Sequence, residues 1–214
     1  MKIAASLWSA DLGNLSADVS RSEHYVDSFH IDVSDGRFTP TLLFFPDLVA
    51  DIRGRTRKTL EIHLLTCDPQ KWVEPFAHAG GDLIIFSPEA TDNPGTTITK
   101  VRSAGCRVGI CLSIESDVTA IRDLLPEAQL VVVMGTKMGM RGIEAPSPKA
   151  LQNIRVLNQL RRRNRRLSFE IEADGAVRDN TIGLFREAGA DVVVPGSLLF
   201  KGDLPLTAAS IRRL

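Results

Sequence analysis

Eight short apolar runs alternate with stretches carrying helix signals over 214 residues, and this predicts an α/β fold, a single (β/α)8 TIM barrel spanning residues 1–214. Two further observations support it. Eight β–α units fit a chain of this length as one domain. No G-x-G-x-x-G follows the first run and no G-x-x-x-x-G-K-[ST] occurs anywhere, so the motifs of an open doubly wound sheet are missing. The expected strands are Lys2–Ser6, Ser28–Val33, Thr59–Leu64, Asp82–Phe86, Arg107–Leu112, Leu130–Met134, Ser168–Ala173 and Asp191–Val194.

The helix signals follow in order. Asp68-Pro69 reads as an N-cap with proline at the first helical position, ahead of Trp72, Val73 and Phe76. Ser147-Pro148 does the same ahead of Leu151, Ile154, Leu157 and Leu160, which keep helical spacing. Arg161 to Arg166, interrupted by Asn164, reads as the cationic end of that helix, where the dipole favours positive charge. Asp179 is expected to cap a helix holding Ile182, Leu184 and Phe185. Gly80, Gly105 and Gly189 fall where a left-handed residue ends a helix. Ala79-Gly80-Gly81-Asp82 resembles Ala188-Gly189-Ala190-Asp191: helix end, turn, new strand.

Composition excludes several classes. Apolar content is 43% and charged content 24%, ordinary for a soluble globular protein. Lys+Arg and Asp+Glu balance at 26 each, which gives no bulk attraction to nucleic acid or an anionic membrane. Cys67, Cys106 and Cys111 are too few, and odd in number, for a disulfide framework; reduced thiols and a cytoplasmic location are expected. The N-terminus enters a strand-like run at once and lacks a signal-peptide core. No apolar stretch reaches the roughly 20 residues of a membrane span.

Function is suggested by the polar residues on three of the runs. Phe29-His30-Ile31-Asp32-Val33 places an imidazole and a carboxylate on one strand face, since alternate residues share a face. Leu60-Glu61-Ile62-His63-Leu64 adds a second histidine, and Glu170-Ile171-Glu172-Ala173-Asp174 a further carboxylate before Gly175. The apolar parity (Ile31, Val33, Ile62, Leu64, Ile171, Ala173) can face the helices, which turns the polar parity into the barrel. Two imidazoles and two carboxylates at a water-poor rim are costly unless paired or bound to a cation. His30, Asp32, His63 and Asp174 suit one divalent ion: Zn²⁺, Mn²⁺, Fe²⁺ or Co²⁺. Glu172 shares the inward parity and can orient a histidine. Ser6 ends the first run on the same rim.

These stretches together resemble the ribulose-phosphate 3-epimerase family over nearly the whole chain. The matching segments are Ile3 to Asp11, His30 to Pro40, Ile62-His63-Leu64, Val132-Val133-Met134, Glu172-Ala173-Asp174-Gly175 and Gly196-Ser197, in the family's order and spacing. The resemblance implies a metal-dependent barrel that inverts C3 of a ketose phosphate through a metal-stabilised enediolate. It implies that His30, Asp32, His63 and Asp174 ligate the metal, with Asp32 and Asp174 as the acid/base pair. Ser6 and His63 would contact substrate. The family's substrate loops carry over onto Gly139, Met140, Arg141 and Gly142, onto Gly175 and Ala176, and onto Gly196 and Ser197. Backbone N–H groups at the last two of these loops can cradle a phosphate. A homo-oligomer is also implied.

The substrate loops depart from the family pattern. Its Asn-Pro-Gly-Phe-Gly-Gly-Gln segment is replaced by Thr136 to Ile143, which brings Lys137, Arg141 and two methionines; Asp174-Gly175-Ala176 stands for Asp-Gly-Gly, and Arg37 for a histidine. Arg141 is therefore expected to contact the substrate's phosphate or another anionic group. The pentulose phosphate is the first substrate to consider, with allulose 6-phosphate or a tetrulose phosphate as alternatives. Two other classes compete: a Schiff-base aldolase using Lys137, which leaves the His/Asp set unexplained, and a non-catalytic sugar-phosphate binder, which needs no opposed carboxylates. The Asp-x-Lys-x-x-Asp run of related barrel decarboxylases is absent.

Overall fold

A computed structural model describes residues 1–214. Its strands are β1 (Lys2–Ser6), β2 (Ser28–Asp35), β3 (Leu42–Leu43), β4 (Thr59–Leu65), β5 (Leu83–Phe86), β6 (Arg107–Leu112), β7 (Leu130–Met134), β8 (Glu170–Asp174) and β9 (Val192–Val194). Eight run parallel in the order β1-β9-β8-β7-β6-β5-β4-β2, and β1 pairs with β2 to close the ring. β3 is a two-residue antiparallel addition at the end of β2 that the sequence reading did not include. The helices are α1 (Leu15–Ser22), α2 (Pro46–Arg53), α3 (Val73–His78), α4 (Pro94–Ser103), α5 (Pro148–Arg163), α6 (Ile182–Ala188), α7 (Ser197–Phe200) and α8 (Leu204–Arg213). The (β/α)8 barrel is the predicted one.

Local signals hold in part. Ser147 caps α5 by accepting from Lys149 N–H, and α5 ends on Arg161 to Arg163. Gly80, Gly105 and Gly189 all have positive φ. Two expected caps fail. Asp68 is itself left-handed (φ 54°) and its carboxylate pairs with Lys71 at 2.7 Å instead of capping. Asp179 does not cap α6, because Thr181 occupies the N-cap position and its hydroxyl is already engaged with Ala176 O (2.6 Å) and Arg178 N–H (2.8 Å). Between β6 and β7 the chain makes a 3₁₀ run, Val118–Glu127, where an α-helix was expected; Pro126 there has no N–H to extend an α-helical ladder.

The parity argument is realised in the burial. A 48-residue core between strands and helices contains Ile31, Val33, Ile62, Leu64, Ile171 and Ala173. The opposite parity fills the barrel with an apolar plug, a polar cluster and a small patch of Ala4, Val192 and Val194 from β1 and β9. β5, β6 and β7 contribute an apolar plug of Leu83, Ile85, Cys111, Leu130, Val132 and Met134. β2, β4 and β8 contribute His30, Asp32, Glu61, His63, Glu172 and Asp174.

The other end of the barrel carries a repeated clamp. The residue before every second strand exchanges two hydrogen bonds with the second residue of the strand preceding it. Asp27 donates its N–H to Ile3 O and accepts from Ile3 N–H at 2.8 Å. Asp82 does this with Leu60, Gln129 with Val108 and Asp191 with Ile171, each accepting at 2.8 Å. The three aspartates also meet an arginine near a helix C-terminus: Asp27–Arg212 at 3.0 Å, Asp82–Arg53 at 2.8 Å and Asp191–Arg161 at 2.5 Å. The strands therefore begin one residue later than expected at Asp82 and Asp191. The resemblance between Ala79–Asp82 and Ala188–Asp191 is two copies of this device.

Breaking one clamp has a predictable cost. Asp191→Ala leaves the Ile171 N–H without its acceptor and takes the carboxylate from Arg161, which keeps Phe169 O and Asn158 Oδ1, a loss of about 2 kcal/mol; Asp191→Asn keeps a side-chain acceptor and loses roughly half of that. Equilibrium urea unfolding reads both values, and an alanine variant within 0.5 kcal/mol of the parent (roughly the level of a neutral surface change) rules the clamp out as a stabilising element.

Candidate active site and metal centre

Strand register assembles the site. β2 and β4 pair Asp32 with His63 and His30 with Glu61, while β1 sets Ser6 beside His30. Asp174 ends β8, opposite Val194 of β9. Four donor atoms converge. His30 Nε2 lies 3.2 Å from His63 Nδ1 and 3.5 Å from Asp32 Oδ1, and His63 Nδ1 lies 3.4 Å from the same oxygen. Asp174 Oδ2 is 3.8 Å from each of the two nitrogens. Both histidines are fully buried, and the Asp32 and Asp174 side chains are 6% and 13% exposed.

This donor set fits a divalent ion. A tetrahedral ion with bonds of about 2.1 Å spaces its donors about 3.4 Å apart, close to the separations here. The same atoms satisfy one another poorly: they share one hydrogen bond, between the two imidazoles, and His63 Nε2 has no partner. The four residues can hold a metal ion.

Electrostatics is dominated by burial. For His30, burial opposes the charged form, but Asp32, then Glu172 and Glu61, outweigh it and raise its pKa well above the ordinary value. For Asp32, burial opposes ionisation, yet His30 and His63 hold the carboxyl below its usual range. Asp174 is raised by burial and by the Asp32 charge, against the pull of His30. Glu172 is raised well above its ordinary value by burial and by Glu61.

Above the cluster lies a cavity of about 330 Å³ with Asp32 and Asp174 on its wall. Of the residues expected to bind substrate, Ser6, Gly139, Met140, Arg141, Gly142, Gly175, Ala176, Gly196 and Ser197 all line it; the fully buried His63 does not. Four cations border the cavity: Lys137, Arg141, Arg178 and Lys201. The loop after β7 arches over it. Its base is closed by Gly135 N–H to Asp174 O (2.5 Å) and Ser147 N–H to Gly135 O (2.8 Å). Met138 Sδ accepts from Ser87 Oγ at 3.6 Å, and Gly139 packs against Thr39. Beyond these anchors the Arg141 guanidinium stacks over Trp8, 5.0 Å from the ring centre.

Sequence reasoning missed Glu61, Trp8, Arg178 and Lys201. Glu61 carried a usable signal, since it shares parity with His63. Arg178 and Lys201 follow the two expected phosphate loops within a few residues. Trp8 meets Arg141 across the barrel mouth, a contact without local signature.

A closed barrel with buried imidazoles and carboxylates under a cation-lined cavity defines a barrel enzyme for a small anionic molecule. The chain belongs to the ribulose-phosphate 3-epimerase family, whose sequence model matches residues 2–200. It is 35% identical over 201 residues to a ribulose-phosphate 3-epimerase of Synechocystis sp., covering 92% of this chain and 86% of that one. It is 32% identical to one from Mycobacterium bovis, covering 99% and 91%. Among solved structures, a 3-keto-L-gulonate-6-phosphate decarboxylase from Vibrio cholerae superposes with a TM-score of 0.71 at 18% identity, covering 100% of this chain and 95% of that one, a likeness of fold alone.

The departure at Ala176 has a backbone consequence. Gly175 and Ala176 are both left-handed, at φ 94° and 54°. An alanine there costs about 1 kcal/mol relative to glycine, partly offset by the greater freedom of glycine in the unfolded chain. Ala176→Gly is expected to leave stability unchanged or raise it by up to ~1 kcal/mol. A measured loss on urea unfolding contradicts this and assigns the methyl group a packing role.

Proposed function

We propose that this chain is a ketose-phosphate 3-epimerase converting ribulose 5-phosphate and xylulose 5-phosphate, with one divalent ion held by His30, Asp32, His63 and Asp174. One observation carries the reading: four donor atoms converge at 3.2–3.8 Å, and the two carboxylates among them also face the substrate-sized cavity. When bound, the ion supplies positive charge for the oxygens at C2 and C3 as a Lewis acid. The metal is Zn²⁺, Fe²⁺, Mn²⁺ or Co²⁺, the ions this ligand set suits.

The remaining chemistry belongs to side chains. Inverting a carbon beside a ketone means taking its proton from one face and returning one to the other. Asp32 on β2 and Asp174 on β8 enter the site from strands separated by β1 and β9, an arrangement suited to proton transfer on two faces of C3. The substrate phosphate sits at the Gly175-Ala176 and Gly196-Ser197 turns, where Arg178 and Lys201 also reach the cavity. Ser6 contacts the sugar. Arg141, held over the Trp8 ring, is positioned for a bidentate contact to the phosphate or another anionic group.

The altered loop over the cavity favours a second reading within the same chemistry, with allulose 6-phosphate or a tetrulose phosphate as substrate. A Schiff-base role for Lys137 is disfavoured, because that side chain is exposed and a nucleophilic lysine needs desolvation. A pure binder has no use for the two carboxylates on the cavity wall. A cytoplasmic homo-oligomer completes the reading. Free thiols fit a reducing compartment, no helix is long and apolar enough to cross a membrane, and Leu42 and Phe45 expose apolar surface beside the rim.

Deuterium wash-in at C3 from heavy water, over four-, five- and six-carbon ketose phosphates, tests this and ranks the substrates. Asp32→Asn and Asp174→Asn are each expected to lower exchange roughly a thousandfold, ~4 kcal/mol, and a chelator to abolish it. A saturated complex without exchange defeats the epimerase reading. In the same panel Arg141→Ala is expected to raise KM several-fold; an unchanged KM for every substrate removes Arg141 from recognition.

A further inference from the structure

Immediately beneath the proposed metal centre lies a second polar cluster that the chemistry above leaves unused. His30 Nδ1 is 3.1 Å from Glu172 Oε1 and 3.5 Å from Glu61 Oε2. Both glutamates are interior: Glu172 is fully buried and Glu61 is 6% exposed. Four of the six buried side-chain nitrogens and oxygens without a hydrogen-bond partner lie at this junction, His30 Nδ1, Glu61 Oε2 and both Glu172 oxygens; the others are His63 Nε2 and Thr66 Oγ1. Glu172 Oε1 is within bonding distance of Nδ1 but off the line of its N–H, so a small turn of either side chain completes the bond.

Burying a carboxylate beside an imidazole nitrogen without pairing them is expensive, so the contact has a purpose. The two histidines are treated differently. His30 presents Nε2 to the donor cluster and Nδ1 to two carboxylates, whereas His63 presents Nδ1 to the cluster and leaves Nε2 with no partner. A ligand imidazole coordinates through the nitrogen that lacks the proton, and an acceptor at the other nitrogen decides which one that is.

We propose that Glu172 and Glu61 are positioning residues for His30: Glu172 accepts the Nδ1 proton and Glu61 flanks it, which fixes the tautomer and ring orientation that turn the Nε2 lone pair toward Asp32, His63 and Asp174. Half a turn of the ring would put carbon atoms at both places, losing a ligand on one side and an acceptor on the other. Glu172 and Asp174 sit two apart on β8, and Glu61 and His63 two apart on β4, so each strand supplies from one face a donor to the cluster and a carboxylate to His30. His63, without such support, is the more loosely held ligand.

The inference rests on the metal reading and is tested on the metal, apart from turnover. Co²⁺ affinity of the metal-free full chain is measured by competition with a chromogenic chelator, and the visible Co²⁺ spectrum reports ligand geometry. Glu172→Leu is expected to weaken Co²⁺ binding at least roughly tenfold and to change the spectrum. Glu172→Gln, whose amide oxygen still accepts from Nδ1–H, is expected to restore most of both. Glu61→Gln is expected to have the smaller effect. If Glu172→Leu fails to fold, ¹⁵N NMR of the Zn²⁺-loaded parent decides: His30 with a protonated Nδ1 supports the proposal, and an unprotonated Nδ1 overturns it. A folded Glu172→Leu with parental affinity and spectrum also overturns it, leaving the metal reading intact. Two ions per parent chain overturn it as well, because the glutamates would then be ligands. A parent that binds no ion defeats both readings.

Discussion

The structure is organised by the need to neutralise six ionisable side chains inside a barrel that excludes water. His30, Asp32, Glu61, His63, Glu172 and Asp174 come from three strands and share one side of the lumen. Isolated charges at such depth cost several kcal/mol each, so they are tolerable only as a mutually compensating group. The opposite side of the lumen is apolar, built from β5, β6 and β7. That asymmetry keeps the polar group compact and opens it in one direction, toward the cavity. Cys111, in the apolar part, is buried, and that burial pushes its thiol pKa far up.

Strand register holds this arrangement, and the clamps at the far end hold register. A one-residue slip of β2 against β4 would turn His30 and Asp32 toward the helices and break the pairing of Asp32 with His63. The β2–β4 register is held by their long parallel ladder, Ser28 to Ser34 against Thr59 to Leu65. Asp27, Asp82, Gln129 and Asp191 each grip the start of the preceding strand through two hydrogen bonds and so fix β1–β2, β4–β5, β6–β7 and β8–β9 where those strands begin. Three of them are also tied to helix ends by arginine. Stability is thus concentrated at the face remote from chemistry, leaving the other rim free for loops.

Much of this was legible because a β-strand encodes direction in parity. Ile31, Val33, Ile62, Leu64, Ile171 and Ala173 pointed outward, so His30, Asp32, His63, Glu172 and Asp174 had to point in, and all eight strands followed from apolar runs. Family resemblance extended that reading to residue roles, which periodicity alone does not assign. What was not legible depends on partners distant in sequence. Asp82 and Asp191 look locally like first strand residues, because nothing nearby in sequence shows that their carboxylates return to strands 22 and 20 residues earlier. Asp179 looked like a cap, but Thr181 was already bound to the left-handed turn at Ala176. The contact of Arg141 with Trp8 joins segments far apart in the sequence.

Chemistry and recognition are separable here for a mechanical reason. The cluster sits on strand residues whose positions are fixed by ladder hydrogen bonds. The loop that differs most from its family is attached at its base to the end of β8, where Gly135 N–H meets Asp174 O. Gly135 must be glycine, since a Cβ there would lie 2.3 Å from Gly175 O. Met138 and Gly139 then fix the path, and only after them come Met140 and Arg141. On the proposed reading, substitutions at the tip therefore alter substrate preference without displacing Asp174. Lengthening the side chain at Gly135 would act in the opposite way, moving the carboxylate along with the loop. If the proposed roles hold, a barrel built so can exchange one ketose phosphate for another by changing its tip, while the buried donors stay in register.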